Sequence, residues 1–226
     1  MPRLTTRHHS PITYQPMQMT DTHRAKTGAY YTPPQWAAKA AEYLTEVVPC
    51  LKGFTIYDPA AGEGALLDAL PDGTERVGST LERADVDILL RKGYTAQQFD
   101  FSRQNLRFID ESVIEASENG TLIVFTNPPY RKLANGECDL MKRTHHECCG
   151  DLTALFLLRA LRELKPALIC SFTKTDIYQA TSMKPFRDAF DPFGRLATRP
   201  FLCPSTSWPG LKGKFPIAFS VWNGWN

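Results

Sequence analysis

Short apolar runs alternate with polar stretches along most of this chain, and their lengths and periods predict its elements. Runs at 54–58, 76–82, 121–126, 166–172, 195–203 and 215–222 are short and bounded by turn residues, the pattern of strands buried in a sheet. Between several of them apolar positions recur at helical spacing, at 64–70, at 84–92 and most clearly at 151–164. There Asp151 stands as a cap before Leu155, Leu158 and Leu161. A further helix is expected from Thr32, with Thr32 as N-cap, Pro33 and Pro34 in the first turn, and Trp36, Ala37, Ala40, Leu44 and Val47 on one face.

Strand, helix, strand alternation predicts an α/β fold, a mostly parallel sheet with helices on both faces. Residues 1–26 are polar and without pattern and are expected to form a flexible tail. Residues 27–226 are expected to form one domain with no second one beside it. Internal repeats and low-complexity segments are not seen.

Composition narrows this picture. A chain of 226 residues with 42% hydrophobic content can bury a full core, so one domain, or one with a small appendage, is expected. A net charge of +2 excludes binding of nucleic acid by bulk charge alone, though not through a local patch. The six cysteines are scattered, the first thirty residues hold no apolar core of signal-peptide length, and no window reaches the length of a membrane span. A cytoplasmic protein without membrane partners is expected.

In a parallel sheet ligands bind beyond the carboxyl ends of the strands, so candidate chemistry lies in the loops that leave them. The loop "DPAAGEGALL", residues 58–67, places Asp58 at a strand end, with Gly62 and Gly64 able to form a tight turn. It matches neither the dinucleotide fingerprint nor a phosphate loop with its lysine, and Asp58 suits a cationic ligand. Glu82, eighteen residues past Gly64, is placed to accept hydrogen bonds from ribose hydroxyls, with Asp85 and Asp87 as alternatives.

"GAYYTP" (28–33), "DPAAGEG" (58–64) and "NPPY" (127–130) occur together and in that order. In this combination the chain resembles the adenine-specific DNA methyltransferases that use S-adenosylmethionine and carry the "YTP" segment before the glycine loop. The resemblance implies the Rossmann-like methyltransferase fold, with Tyr31, Thr32, Asp58, Ala60, Gly62, Gly64, Glu82, Asp100, Phe101 and Asn127 around the cofactor. Within that set Asp58 faces the amino group of the methionine moiety, Glu82 the ribose and Asp100 the adenine amino group, with Phe101 against the ring. The "STLERAD" stretch departs from the family's commoner acidic pair at the ribose position.

The catalytic set implied is Asn127, Pro128, Pro129 and Tyr130. The amino nitrogen of adenine is a poor nucleophile because its lone pair is delocalised into the ring. Acceptors at the Asn127 side chain and the Pro128 carbonyl, held rigid by the two prolines, would localise it. Tyr130 would offer a flat face to a base flipped out of its duplex, and Trp208, or else Phe215, a second one. Arg131 and Lys132 would contact substrate phosphates, with Lys142 and Arg143 in the same polar segment, 131–150. DNA is the expected partner, alongside a specificity subunit or other protein.

No metal is expected: Cys138, His145, His146, Cys148 and Cys149 are ligand types, but their spacing matches no standard zinc site. The alternatives kept are methylation of RNA bases or a protein glutamine through the same corner, and a non-catalytic nucleic-acid-binding subunit.

Overall fold

The structure, a computed structural model, describes residues 31–134, 136–137, 143–191, 195–211 and 215–224. The expected tail, Cys138 and Lys142 lie outside the described residues. In chain order the elements are α1 (Pro34–Val47), β1 (Thr55–Asp58), α2 (Ala65–Asp68), β2 (Glu75–Thr80), α3 (Arg83–Arg91), β3 (Thr95–Gln98), α4 (Glu111–Glu118), β4 (Leu122–Thr126), α5 (Leu152–Arg159), β5 (Leu168–Lys174), α6 (Asp176–Gln179), α7 (Lys184–Phe190), β6 (Phe201–Pro204) and β7 (Pro216–Asn223).

The seven strands form one sheet in the order β3-β2-β1-β4-β5-β7-β6. Strand β7 runs antiparallel to both neighbours and every other pairing is parallel. The chain works outward from β1 in one direction, then returns to β1 and builds the other half. The carboxyl ends of β1 and β4 therefore diverge, and a crevice opens between them.

The apolar runs are continuous because both sheet faces are covered. Tyr57, Leu122, Val124, Ile169 and Trp222 face one core with Val113 of α4, Leu155 and Leu158 of α5 and Phe190 of α7. Their chain neighbours Ile56, Ile123, Phe125, Cys170 and Val221 face the other with Ala37, Ala40 and Leu44 of α1 and Leu89 of α3. Alternate residues of the central strands thus enter opposite cores, so both sets of positions are mainly apolar, and the buried polar ones, such as Thr126, Ser171 and Ser220, are small.

The α/β class and the mixed but mainly parallel sheet agree with the sequence reading, and several boundaries do not. Pro33, rather than Thr32, stands at the N-cap of α1, and no side chain caps that helix. Strand β2 ends at Thr80, which leaves Glu82 as the N-cap of α3. The run at 195–203 is broken: Leu196 makes an isolated bridge to Trp222, and β6 begins only after Pro200, which has no amide hydrogen for a ladder. Asp151 does cap α5, accepting from Ala154 N at 3.2 Å, and the helix runs on as a π turn over Ala160–Leu164.

Candidate active site

A cavity of about 540 Å³ occupies the crevice at the carboxyl ends of β1, β2 and β4, within the size range of small-molecule sites. Tyr31, Thr32, Asp58, Ala60, Gly62, Glu82, Asp100, Phe101, Asn127, Pro129 and Arg131 line it. Three separate stretches of sequence, 31–32, 58–62 and 127–129, thus converge on one hollow.

The convergence has a physical basis at each point. Gly62 has φ +50°, and a Cβ added there would fall 2.8 Å from the Tyr31 ring. Only glycine lets the ring lie over this turn. Thr32 is buried and its Oγ1 accepts from Asn127 Nδ2 at 3.0 Å, so the hydroxyl read as a helix cap instead joins the "YTP" segment to the "NPPY" corner. Thr126 Oγ1 donates to Asp58 Oδ1 at 2.7 Å, joining the ends of β1 and β4 across the crevice.

Asp58 is 2% exposed. Its Oδ1 takes both Thr126 and the Ala60 amide, the latter at 2.9 Å. Burial raises the carboxyl to about 7, against the opposing pull of those two bonds. Such a group ionises most readily when a cation arrives beside it.

Of the three acids considered for the ribose, Glu82 and Asp85 line the cavity. Asp85 is buried with Oδ2 3.3 Å from Thr80 Oγ1, while Asp87 pairs with Arg83. Asp100 folds back on its own loop, Oδ1 accepting from Ser102 N at 2.9 Å and Ser102 Oγ at 2.6 Å. Phe101 lines the cavity, and its ring packs on Phe156 and Tyr57.

The catalytic corner differs from expectation first at Tyr130. Tyr130 does not line the cavity: it is 6% exposed, and its hydroxyl donates to Asn127 Oδ1. Burial raises that hydroxyl well above the ordinary phenol value, so it stays a donor. Tyr130 and Thr32 together hold the Asn127 amide from both ends, Tyr130 donating to Oδ1 and Thr32 accepting from Nδ2. Among the described residues no hydrogen bond is made to the Pro128 carbonyl, whereas the Pro129 carbonyl accepts from Thr153 Oγ1 at 2.9 Å.

Other expected site residues lie elsewhere. Gly64 is off the cavity. Its φ is +90° and an added Cβ would come within 2.6 Å of Leu89, so it serves the turn into α2 and the packing of α3. Pro128 is buried beneath the corner. Trp208 belongs to the core: 2% exposed, it stacks on Trp36 at 6.3 Å and meets Phe172 edge-on at 5.5 Å. Its ring offers no face to a base. Phe215, the second choice, is half-buried, and Lys174 Nζ lies 5.6 Å from its ring centre.

Lys132 stays on the surface beside Asp151, with Nζ 3.4 Å from Oδ2. Arg131 is clamped by Glu137, donating to both carboxylate oxygens at 2.6 and 2.7 Å. Arg103 reaches the same carboxylate at 3.1 Å. The Arg131 guanidinium, with help from Arg103 and the Ala134 amide, holds Glu137 down at about 2. Arg103 and Glu137 line the cavity and carried no motif that sequence reading could use. Among the described residues no group of His, Cys, Asp or Glu could hold a metal, the described cysteines are free thiols, and no helix is long and apolar enough to cross a membrane.

No protein-family model matches the sequence, and no curated protein matches it. Solved structures do resemble the fold. A Listeria monocytogenes protein assigned to the class I S-adenosylmethionine-dependent methyltransferases superposes with a TM-score of 0.66 at 15% identity, over 86% of this chain and 61% of that one. The type I restriction-modification methyltransferase subunit of Streptococcus thermophilus gives 0.65 at 16% identity, over 92% of this chain and 50% of that one. A Pyrococcus horikoshii protein assigned as an RNA methyltransferase gives 0.56 at 18% identity, over 89% and 87%. The chain thus spans about half to three-fifths of the first two. Its fold is the Rossmann-like α/β fold of S-adenosylmethionine-dependent methyltransferases.

Proposed function

We propose that this chain is an S-adenosylmethionine-dependent methyltransferase acting on the exocyclic amino nitrogen of adenine in DNA. The observation that carries the reading is the junction of Asn127 with Thr32, beside buried Asp58, at the mouth of one cavity. It joins the Asn127 amide, held by Thr32 and Tyr130, to a pocket suited to a cationic, adenosine-bearing ligand.

The residues fit that ligand. Asp58 would offer a buried carboxylate to an ammonium group, Gly62 keeps the Tyr31 ring over the turn that walls the cavity, and Glu82 and Asp100, which line the same cavity, would take the ribose hydroxyls and the adenine amino group. The cofactor, when bound, supplies a methyl group made electrophilic by its sulfonium. The chain's part is to orient the acceptor of that methyl. Asn127 Oδ1 and the Pro128 carbonyl accept from the two amino hydrogens, which draws the nitrogen lone pair out of conjugation. The amino proton, acidified by methylation, would leave to water, so the chain need supply no strong general base.

A base within a duplex cannot reach this corner, so the target adenine is flipped out at a cost of a few kcal/mol. Phe215 is the aromatic surface that this reading now favours for stacking, in place of Trp208. Arg131 and Lys132 are the proposed phosphate contacts, Arg131 by exchanging Glu137 for phosphate. Two similar folds are described as subunits of type I restriction systems, which supports a specificity subunit as a partner.

A second reading, methylation of an RNA base, is favoured by one observation. The Pyrococcus horikoshii protein matches over nearly the full length of both chains. Incubation with methyl-labelled S-adenosylmethionine and separate DNA, RNA and protein pools, followed by digestion, distinguishes them. N6-methyladenine in the DNA pool is expected. Label confined to RNA or to glutamine would replace the first reading.

A further inference from the structure

Arg159, on α5, is a buried arginine within an otherwise apolar helix, its side chain 1% exposed. A charge is held in a core only where its hydrogen bonds are met. Here half of them are met by a loop that lines the cavity: the guanidinium donates to the carbonyls of Phe101 and Gln104. Its plane also lies 5.2 Å from the Phe101 ring centre. Between those two carbonyls lie Ser102 and Arg103, and immediately before them Asp100, whose amide donates to Gln104 Oε1 at 2.5 Å.

The guanidinium is itself held. Nε donates to Glu163 Oε1 at 2.9 Å, and the same carboxylate meets His145 Nε2 at 2.8 Å. His145 is 4% exposed. The two partners hold Glu163 below the ordinary carboxylate range although burial opposes them. A chain of three groups, His145, Glu163 and Arg159, thus ends on the backbone of the 100–104 turn.

We propose that Arg159 is a positioning residue for the base end of the cavity: by holding the Phe101 and Gln104 carbonyls it fixes the turn that aims Asp100, and so sets a preference for an adenine ring over a hypoxanthine ring. The proposal rests on the reading that the cavity takes S-adenosylmethionine. Hypoxanthine differs from adenine in replacing the amino donor by a carbonyl, which Asp100 cannot accept from. Loss of the turn's geometry would erase that discrimination more than it would weaken binding as a whole, which reaches Asp58 independently.

The test is calorimetric titration of the full chain with S-adenosylhomocysteine and with its hypoxanthine counterpart. Wild type is expected to prefer the adenine compound at least about tenfold, the size of one hydrogen bond to a charged group. Arg159→Lys keeps a cation but loses the planar fork, and its preference should fall most of the way to unity. Glu163→Gln keeps the arginine and removes its charged brace, and should lose a smaller part. Circular dichroism identifies folded variants. Should Arg159→Lys fail to fold, Glu163→Gln, at a third-exposed side chain, decides. A folded variant with the wild-type ratio overturns the proposal. Equal binding of both compounds by wild type also overturns it and leaves the cofactor reading standing, whereas binding of neither removes both.

Discussion

The cavity wall built from β1 and β2 and the wall built from the "NPPY" corner onward are different kinds of structure. On the first, the acids sit where strands give way to loops: Asp58 is buried at the end of β1, steadied by the Thr126 hydroxyl and the Ala60 amide, and Glu82 stands at the start of α3. On the second, each candidate is already tied to another side chain. Asn127 is bound by Thr32 and Tyr130, Arg131 by Glu137, and Lys132 lies beside Asp151. A small ligand needs only a few fixed groups around a hollow, and short loops at strand ends supply them. A substrate that must enter and leave calls for groups held in store by partners it can displace, and single motifs do not reveal such partners.

The largest expected effect separates core from site. Trp208→Ala should cost about 3–5 kcal/mol of stability, as for a large aromatic removed from a packed core. Denaturant unfolding measures this. A stability within 1 kcal/mol of wild type, with weakened substrate binding instead, would return Trp208 to the substrate side. Next in size, Asn127→Ala should lower single-turnover methyl transfer by about 10²–10³, as for loss of one preorganised transition-state hydrogen bond, while cofactor affinity stays nearly unchanged. Equal loss of both would make Asn127 a structural link to Thr32.

Smaller effects sharpen the comparison. Phe215→Ala should weaken substrate KM by roughly 5- to 150-fold, matching about 1–3 kcal/mol of base stacking, with little loss of fold. An unchanged KM would leave the base without an aromatic platform among the residues named. Tyr130→Phe removes one hydrogen bond to the Asn127 amide and should reduce kcat about fivefold, from about 1 kcal/mol, with the ring's packing kept. A loss as large as that of Asn127→Ala would mean that Tyr130 touches the substrate itself.

The two walls also differ in how far they could be read beforehand. The central strands were legible because burial on both faces writes them as unbroken apolar runs, as in Leu122–Thr126. Strand β3, Thr-Ala-Gln-Gln, was not, because a half-exposed edge strand needs no apolar residues. Helix α4 was missed as well, with Val113 and Ala116 as its buried residues. Asp58, Gly62 and Asn127, which local motifs single out, do line one cavity. Tyr130 and Trp208 were misplaced because an aromatic ring satisfies a core and a base equally well, and only the tertiary neighbours decide. Arg159 was hidden in an apolar helix, since its partners, Phe101 and Gln104, are more than fifty residues away in sequence.

The central claim, that the Asp58 cavity takes a cationic adenosine-bearing cofactor, has a pH signature. With its carboxyl raised to about 7 by burial, Asp58 favours the unliganded fold most below the ordinary carboxylate range, and that contribution is lost as pH rises through about 7. An ammonium group beside it reverses the balance by favouring the ionised form, so binding below that pH must first expel a proton. Titration of S-adenosylmethionine into the full chain should therefore show affinity rising several-fold from about pH 6 to about pH 7.5, a gain absent in Asp58→Asn, with no further gain above, where the ligand's own α-amino group loses its proton. Absence of binding at either pH, or the same affinity in wild type and Asp58→Asn at both, would contradict the account.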